Sequence, residues 1–203
     1  MGENPKYIFN VGCPSIDMIR KTNFKQKLDL KKYGYGLGYR INLNKPYYVI
    51  LIHPDTKNYN KNSLLINEIF KAALKLEEQV VWLWPNSDAG ASIITKKMRM
   101  FREKNKELKV NFFTNLDVSD YLKLIKNSKC IIGNTSSGIR EGSYLGIPYV
   151  CIGDRQYMRE RGDNVLDCDV NYKKIINSVK KITSKKIRKN MIYGNGKSIE
   201  KIY

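Results

Sequence analysis

The sequence predicts a three-layer α/β domain, a largely parallel sheet covered by helices on both faces. Three observations carry this. From residue 46 onward, short β-branched and aromatic runs alternate with stretches of helical period. The short runs are apolar throughout, as strands buried on both faces must be. Repeated strand–helix alternation at this spacing builds parallel sheets.

The elements follow in order. Residues 1–45 form an N-terminal segment, the start of the domain and partly loop, and residues 46–203 the main body. In the first segment, Tyr7 to Val11 reads as a strand ending at Gly12-Cys13-Pro14. Tyr33 to Gly38, with three glycines, reads as a flexible loop. Tyr47 to Ile52 is the first buried strand. A helix follows with Leu65, Ile69, Ala73 and Leu76 inward and Asn62 or Ser63 as its cap. Val80 to Trp84 is a strand stopped by Pro85. Ile94, Met98 and Phe101 mark the inner stripe of the next helix. Then come strand Val110–Phe113, a helix from 118 to 127 with Tyr121, Leu122 and Ile125 inward, and strand Cys130–Ile132. A helix from about Ser137 to Leu145 and strand Tyr149–Ile152 follow. A last amphipathic helix holds Ile175, Ile176, Val179 and Ile182.

Composition bounds the function. With 203 residues, the chain is close to one domain of roughly 150 residues, and 42% hydrophobic content fills a core. No run approaches the ~20 apolar residues of a membrane-spanning helix, and the polar start predicts no signal peptide, so a cytoplasmic location is expected. Lys+Arg 37 against Asp+Glu 19 gives a net charge of +18, which favours anionic partners. The excess is dispersed in pairs such as Lys31-Lys32, Lys96-Lys97, Lys180-Lys181 and Lys185-Lys186, the pattern of a solvated surface. Cys13, Cys130, Cys151 and Cys168 form no CxxC pair and are read as reduced, buried thiols. With one histidine in the chain, no zinc set is expected, nor any other metal or cofactor.

In open α/β sheets, ligands bind beyond the carboxyl ends of the strands. The segments there are His53-Pro54-Asp55-Thr56, Pro85 to Gly90, Asn115-Leu116, Gly133 to Gly138 and Gly153-Asp154-Arg155. Asn134 to Glu141 is the strongest local signal. It joins a buried strand to a helix, and free amides, the positive end of the helix dipole and the hydroxyls of Thr135, Ser136 and Ser137 make an anion site. The competing reading is an ordinary N-cap. Gly138 lets a ligand approach the backbone, and Glu141, one turn on, suits ribose hydroxyls. His53 is the one candidate for imidazole chemistry, Asn86, Ser87 and Asp88 close the neighbouring strand, and Arg155 suits a phosphate. Two glycine motifs are decoys. Gly34-x-Gly36-x-Gly38 has the wrong dinucleotide spacing, and Gly196-Lys197-Ser198 lacks the earlier P-loop glycine.

Taken together, these segments resemble the UDP-N-acetylglucosamine 2-epimerase family. Gly12-Cys13-Pro14-Ser15-Ile16-Asp17, His53-Pro54-Asp55-Thr56, Trp84 to Gly90, Ile132 to Glu141, Gly153 to Gln156, Arg159 to Val165 and Ile192 to Gly196 match in order and spacing. The non-hydrolysing branch carries His-Arg-Arg-Glu where this chain has His53-Pro54-Asp55-Thr56, which favours the hydrolysing branch of sialic-acid-type biosynthesis. The resemblance implies the Rossmann-like carboxyl-terminal domain of a two-domain enzyme of glycosyltransferase-B arrangement, with an amino-terminal domain missing. It implies a UDP-sugar substrate and a homo-oligomer at full length. It also implies that Thr135, Ser136 and Ser137 hold the diphosphate at Gly138, Glu141 the ribose and Arg155 the nucleotide, with His53, Asn86 and Asp88 acting near the sugar. The carboxylates that handle the C2 proton are expected mostly in the other domain, so the isolated chain should turn over feebly or not at all. Two other readings compete: a glycosyltransferase domain of the same architecture, and a basic nucleic-acid-binding module resting on the run from Lys173 to Lys189. No aromatic-basic interleaving supports the latter, so neither nucleic acid nor membrane is an expected partner.

Overall fold

The computed structural model describes residues 2–202. Its seven-stranded sheet has strands β1 (Leu37–Gly38), β2 (Tyr47–Leu51), β3 (Gln79–Leu83), β4 (Val110–Phe113), β5 (Cys130–Gly133), β6 (Tyr149–Ile152) and β7 (Val165–Cys168). Their spatial order is β1-β4-β3-β2-β5-β6-β7. Every pairing is parallel except that of β1 with β4. Leaving out β1, the six parallel strands run 3-2-1-4-5-6 in their own order, the doubly wound arrangement whose switch point lies between the first and fourth. Here that point is the seam between β2 and β5.

Alternate residues of each strand feed opposite layers, as the two-residue period requires. Tyr48, Ile50, Val80, Trp82 and Ile132 face α2 (Asn62–Ala73), α3 (Ala91–Lys104) and α6 (Tyr172–Thr183), meeting Leu65, Ile69, Ile94, Met98, Phe101, Ile175, Val179 and Ile182. Tyr47, Val49, Leu51, Val81, Ile131 and Tyr149 face α1 (Pro14–Lys21), α4 (Val118–Lys126) and α5 (Ser136–Leu145), meeting Ile16, Ile19, Leu122, Ile125 and Ile139. The lysine pairs are mostly at the surface, as their dispersion predicts.

The expected elements after residue 46 are present; the first forty-five differ. Tyr7 to Val11 is not a strand. It holds a 3₁₀ turn at Pro5–Tyr7 and then exposed coil, with Tyr7, Ile8 and Phe9 facing solvent and no strand to pair with. Nor is Tyr33 to Gly38 a loose loop. The Tyr33 hydroxyl donates to Asp120 Oδ2 at 2.7 Å, and Asn111 Nδ2 donates to the carbonyls of Tyr35 and Tyr39. Gly36 lies so close to Asn111 that a Cβ would fall 2.1 Å from its Oδ1, and Leu37–Gly38 pairs with β4 as the edge strand β1.

Other departures are smaller. Asn62 is not a cap but the first residue of α2, and its side chain accepts from the Asp55 amide at 2.8 Å and donates to the Asp55 carbonyl. Cys13 and Cys168 are only half-buried, unlike Cys130 and Cys151. Among the described residues no helix is long and apolar enough to cross a membrane. The Gly196-Lys197-Ser198 segment is structural. It leads into α7 (Ser198–Ile202), whose Ser198 and Ile199 amides donate to the two carboxylate oxygens of buried Asp17 in α1.

Candidate functional site

The switch point brings the predicted residues together. β2 and β5 end side by side, and there His53 and Asn134 clasp each other: the His53 amide donates to Asn134 Oδ1 at 2.7 Å, and Asn134 Nδ2 donates to the His53 carbonyl at 2.8 Å. The adjoining strand β3 delivers Pro85 and Asn86, whose amide donates to His53 Nδ1 at 3.1 Å. An acceptor Nδ1 makes Nε2 the protonated nitrogen of the neutral ring, facing away from the Asn86 amide.

Burial, and after it the Arg155 guanidinium, depresses this imidazole from an ordinary value of about 6.5 to about 4, against the opposing pull of Asp88. His53 is therefore a neutral hydrogen-bond donor at pH 7. Since its folded pKa lies below its unfolded one, the unfolded chain takes the proton first, and stability should fall as pH drops through that window. The imidazole Cε1–H resonance is expected to titrate with a midpoint near 4. A midpoint at the ordinary value would show a solvated ring instead.

Arg155, beyond β6, is committed to three segments. Nε donates to the Pro54 carbonyl at 3.2 Å, Nη1 to the Asn134 carbonyl at 3.3 Å and Nη2 to Asp88 Oδ2 at 3.3 Å. Asp88 also accepts from Asn86 Nδ2 at 2.6 Å. The predicted set His53, Asn86, Asp88 and Arg155 is thus one hydrogen-bonded cluster across β2, β3, β5 and β6.

Next to it, the chain leaves β5 and starts α5. Thr135 is the N-cap, its hydroxyl oxygen accepting from the Ser137 amide at 3.2 Å. Capping uses a lone pair and leaves the hydroxyl hydrogen to donate. The Ser136 and Gly138 amides, in the first turn, have no acceptor within the helix. The Tyr149 hydroxyl lies 3.0 Å from both the Gly133 and Thr135 carbonyls and braces the turn from below. The packing below gives Gly138 a further reason to be glycine: a Cβ there would sit 2.5 Å from the Tyr149 ring, so the missing side chain admits the tyrosine. Ser137 is held at 2.7 Å by the Tyr121 hydroxyl. Glu141 is only 7% exposed. Its Oε1 lies 3.7 Å from Arg140 Nη2, and its Oε2 is buried with no partner.

A cleft of about 380 Å³ opens beside His53, between Leu51, Leu83, Trp84, Asn115, Leu116 and Tyr121. Asn115 and Leu116, flagged only by position, thus help to line it. Tyr121, read as a core residue from its helical spacing, is the site residue that sequence missed. No cluster of metal-binding side chains is found among the described residues.

An apolar cleft, an amide-lined turn and an unpaired carboxylate thus meet at the switch point of a doubly wound α/β domain, where ligands of this fold class bind. The chain belongs to the UDP-N-acetylglucosamine 2-epimerase family, whose family model matches residues 1–203. It is 31% identical over 206 residues to the UDP-N,N'-diacetylbacillosamine 2-epimerase (hydrolyzing) of Legionella pneumophila, covering 100% of this chain and 52% of that protein. With the GDP/UDP-N,N'-diacetylbacillosamine 2-epimerase (hydrolyzing) of Campylobacter jejuni it shares 32% over 191 residues, covering 94% and 48%. The crystal structure of Methanocaldococcus jannaschii UDP-GlcNAc 2-epimerase in complex with UDP-GlcNAc and UDP has the same fold over 99% of this chain and 55% of that one, with a TM-score of 0.72 at 17% identity. The chain therefore spans about half the length of the relatives it matches.

Proposed function

We propose that this chain is the UDP-binding, carboxyl-terminal half of a hydrolysing 2-epimerase acting on a UDP-linked 2-acetamido sugar, in the Rossmann-like half of a glycosyltransferase-B arrangement. The observation that carries the reading is Glu141: its buried, unpartnered Oε2 stands one turn from an anion-accepting helix terminus. A buried acceptor without a donor costs about 1–3 kcal/mol, and a ribose diol next to a diphosphate supplies the missing donors. The apolar cleft beside His53 takes the base. The Ser136 and Gly138 amides and the Thr135, Ser136 and Ser137 hydroxyls hold the diphosphate, and Arg155 adds positive charge.

The chemistry is elimination followed by hydration. Loss of the sugar's C2 proton and departure of UDP from C1 give the 2-acetamidoglucal, and addition of water gives the 2-epimeric free sugar. Negative charge grows on the leaving diphosphate, where fixed amides and hydroxyls act without reorganisation. His53, neutral and donating from Nε2, adds a hydrogen bond near the breaking bond, with Asn86 and Asp88 fixing its orientation together with that of Arg155. No cofactor enters this scheme. The base for C2 belongs to the half of the relatives' length that this chain does not span.

Two relatives above 30% identity are named as hydrolysing enzymes and a third as a polysialic acid biosynthesis protein, and His53-Pro54-Asp55-Thr56 departs from the non-hydrolysing His-Arg-Arg-Glu segment, which supports that branch. The names of the first two also favour a diacetamido sugar as a second reading of the substrate. In an amide NMR titration, UDP is expected to shift Thr135 to Glu141 and to leave α6 unchanged. Silence there, with duplex DNA shifting Lys173 to Lys189, would support the nucleic-acid reading instead. Product analysis by mass spectrometry should show free 2-epimeric sugar only when the remaining half is supplied. A retained glycosidic bond would indicate a glycosyltransferase.

A further inference from the structure

Tyr121 touches both parts of the site. Its side chain lines the cleft beside His53, and its hydroxyl reaches the first turn of α5, 2.7 Å from Ser137 Oγ. Among the described residues this is the one hydrogen bond that either hydroxyl makes. A phenol carries a single hydrogen, and burial pushes the Tyr121 phenol well above its ordinary pKa, so that hydrogen stays on. If Ser137 were the donor, the phenol hydrogen would have no acceptor among the described residues, an arrangement that partly buried polar groups avoid. The donor is therefore Tyr121, and the serine's own hydrogen is turned away from the tyrosine.

We propose that Tyr121 is a positioning residue for the diphosphate: by donating to Ser137 Oγ it orients the Ser137 hydrogen toward a phosphate oxygen docked at the start of α5. This rests on the reading of that turn as the diphosphate site. A serine hydroxyl free to rotate loses orientational freedom each time it meets a ligand, whereas one already fixed by a tyrosine does not. The chain Tyr121–Ser137–phosphate also polarises each hydrogen bond in the next.

The test is calorimetric titration of the chain with UDP and with uridine, which has no phosphate. Tyr121→Phe, which keeps the ring, is expected to weaken UDP about tenfold and leave uridine unchanged. Ser137→Ala should reproduce that split without touching the tyrosine, and the double variant should be no weaker than Ser137→Ala alone, because the two act in series. Equal losses for UDP and uridine, or losses that multiply in the double variant, would overturn the positioning role. So would normal UDP binding by Tyr121→Phe, and in that case the diphosphate reading would stand. Failure of the unsubstituted chain to bind UDP would overturn both.

Discussion

Replacing Gly138 by alanine is expected to destabilise the chain by about 2 kcal/mol, although the position is helical. In an exposed helix interior the same change would stabilise by about 1 kcal/mol through propensity. Here the new Cβ would lie 2.5–2.6 Å from three atoms of the Tyr149 ring. Tyr149 is fully buried and its hydroxyl contacts the Gly133 and Thr135 carbonyls, so the ring cannot swing aside without releasing the turn it braces. Overpacking of this kind costs about 3 kcal/mol, and it outweighs the propensity gain. Urea denaturation should show the lower midpoint with an unchanged slope. In a Tyr149→Leu background, where the ring is gone, Gly138→Ala should change sign and become stabilising. A stabilising Gly138→Ala in the unsubstituted chain would mean that the helix and ring are not in this contact.

That pair also shows what sequence can and cannot reveal about the site. Gly138 stood out because a missing side chain at a strand-to-helix turn lets a ligand approach the backbone, but its partner Tyr149 lies eleven residues on, at the start of the next strand, and no local pattern links them. The strands from Tyr47 onward were legible because β-branched runs buried on both faces have no polar competitor. The sheet order then placed His53, Asn86, Asn134 and Arg155 at one edge. Tyr7 to Val11 misled because an apolar run alone does not supply a neighbouring strand. β7 was missed because an edge strand carrying exposed Asp167 lacks the continuous apolar signature. α1 was legible in principle, since Pro14 at its start and Ile16 and Ile19 three apart are ordinary helix signals. Tyr121 could not have been separated from core positions such as Leu122 by spacing. Its role comes from a hydroxyl whose one partner is sixteen residues away in the next helix.

Glu141→Met is expected to move stability and affinity in opposite directions. In the free chain, the carboxylate's Oε2 is buried without a donor, and its one ionic neighbour, Arg140, is 3.7 Å away with a side chain 30% exposed. A pair that long contributes little, and the partly exposed Arg140 side chain can turn its charge to water once the carboxylate has gone. An apolar side chain of similar length removes the buried unpaired oxygen, so the free protein should melt at the same temperature or higher. UDP, by contrast, should bind about thirtyfold more weakly, the loss of about 2 kcal/mol that accompanies removal of a charge-assisted hydrogen bond. The ligand supplies the internal control. Unsubstituted protein should prefer UDP to 2′,3′-dideoxy-UDP by a similar factor, and Glu141→Met should not distinguish the two. If stability and affinity instead fall together, with the preference for the ribose diol intact, Glu141 is a packing residue of α5 and the ribose is held elsewhere. A site that keeps an acceptor unpaired until its ligand arrives sacrifices stability for recognition, and this opposite-signed pair of measurements detects that trade-off.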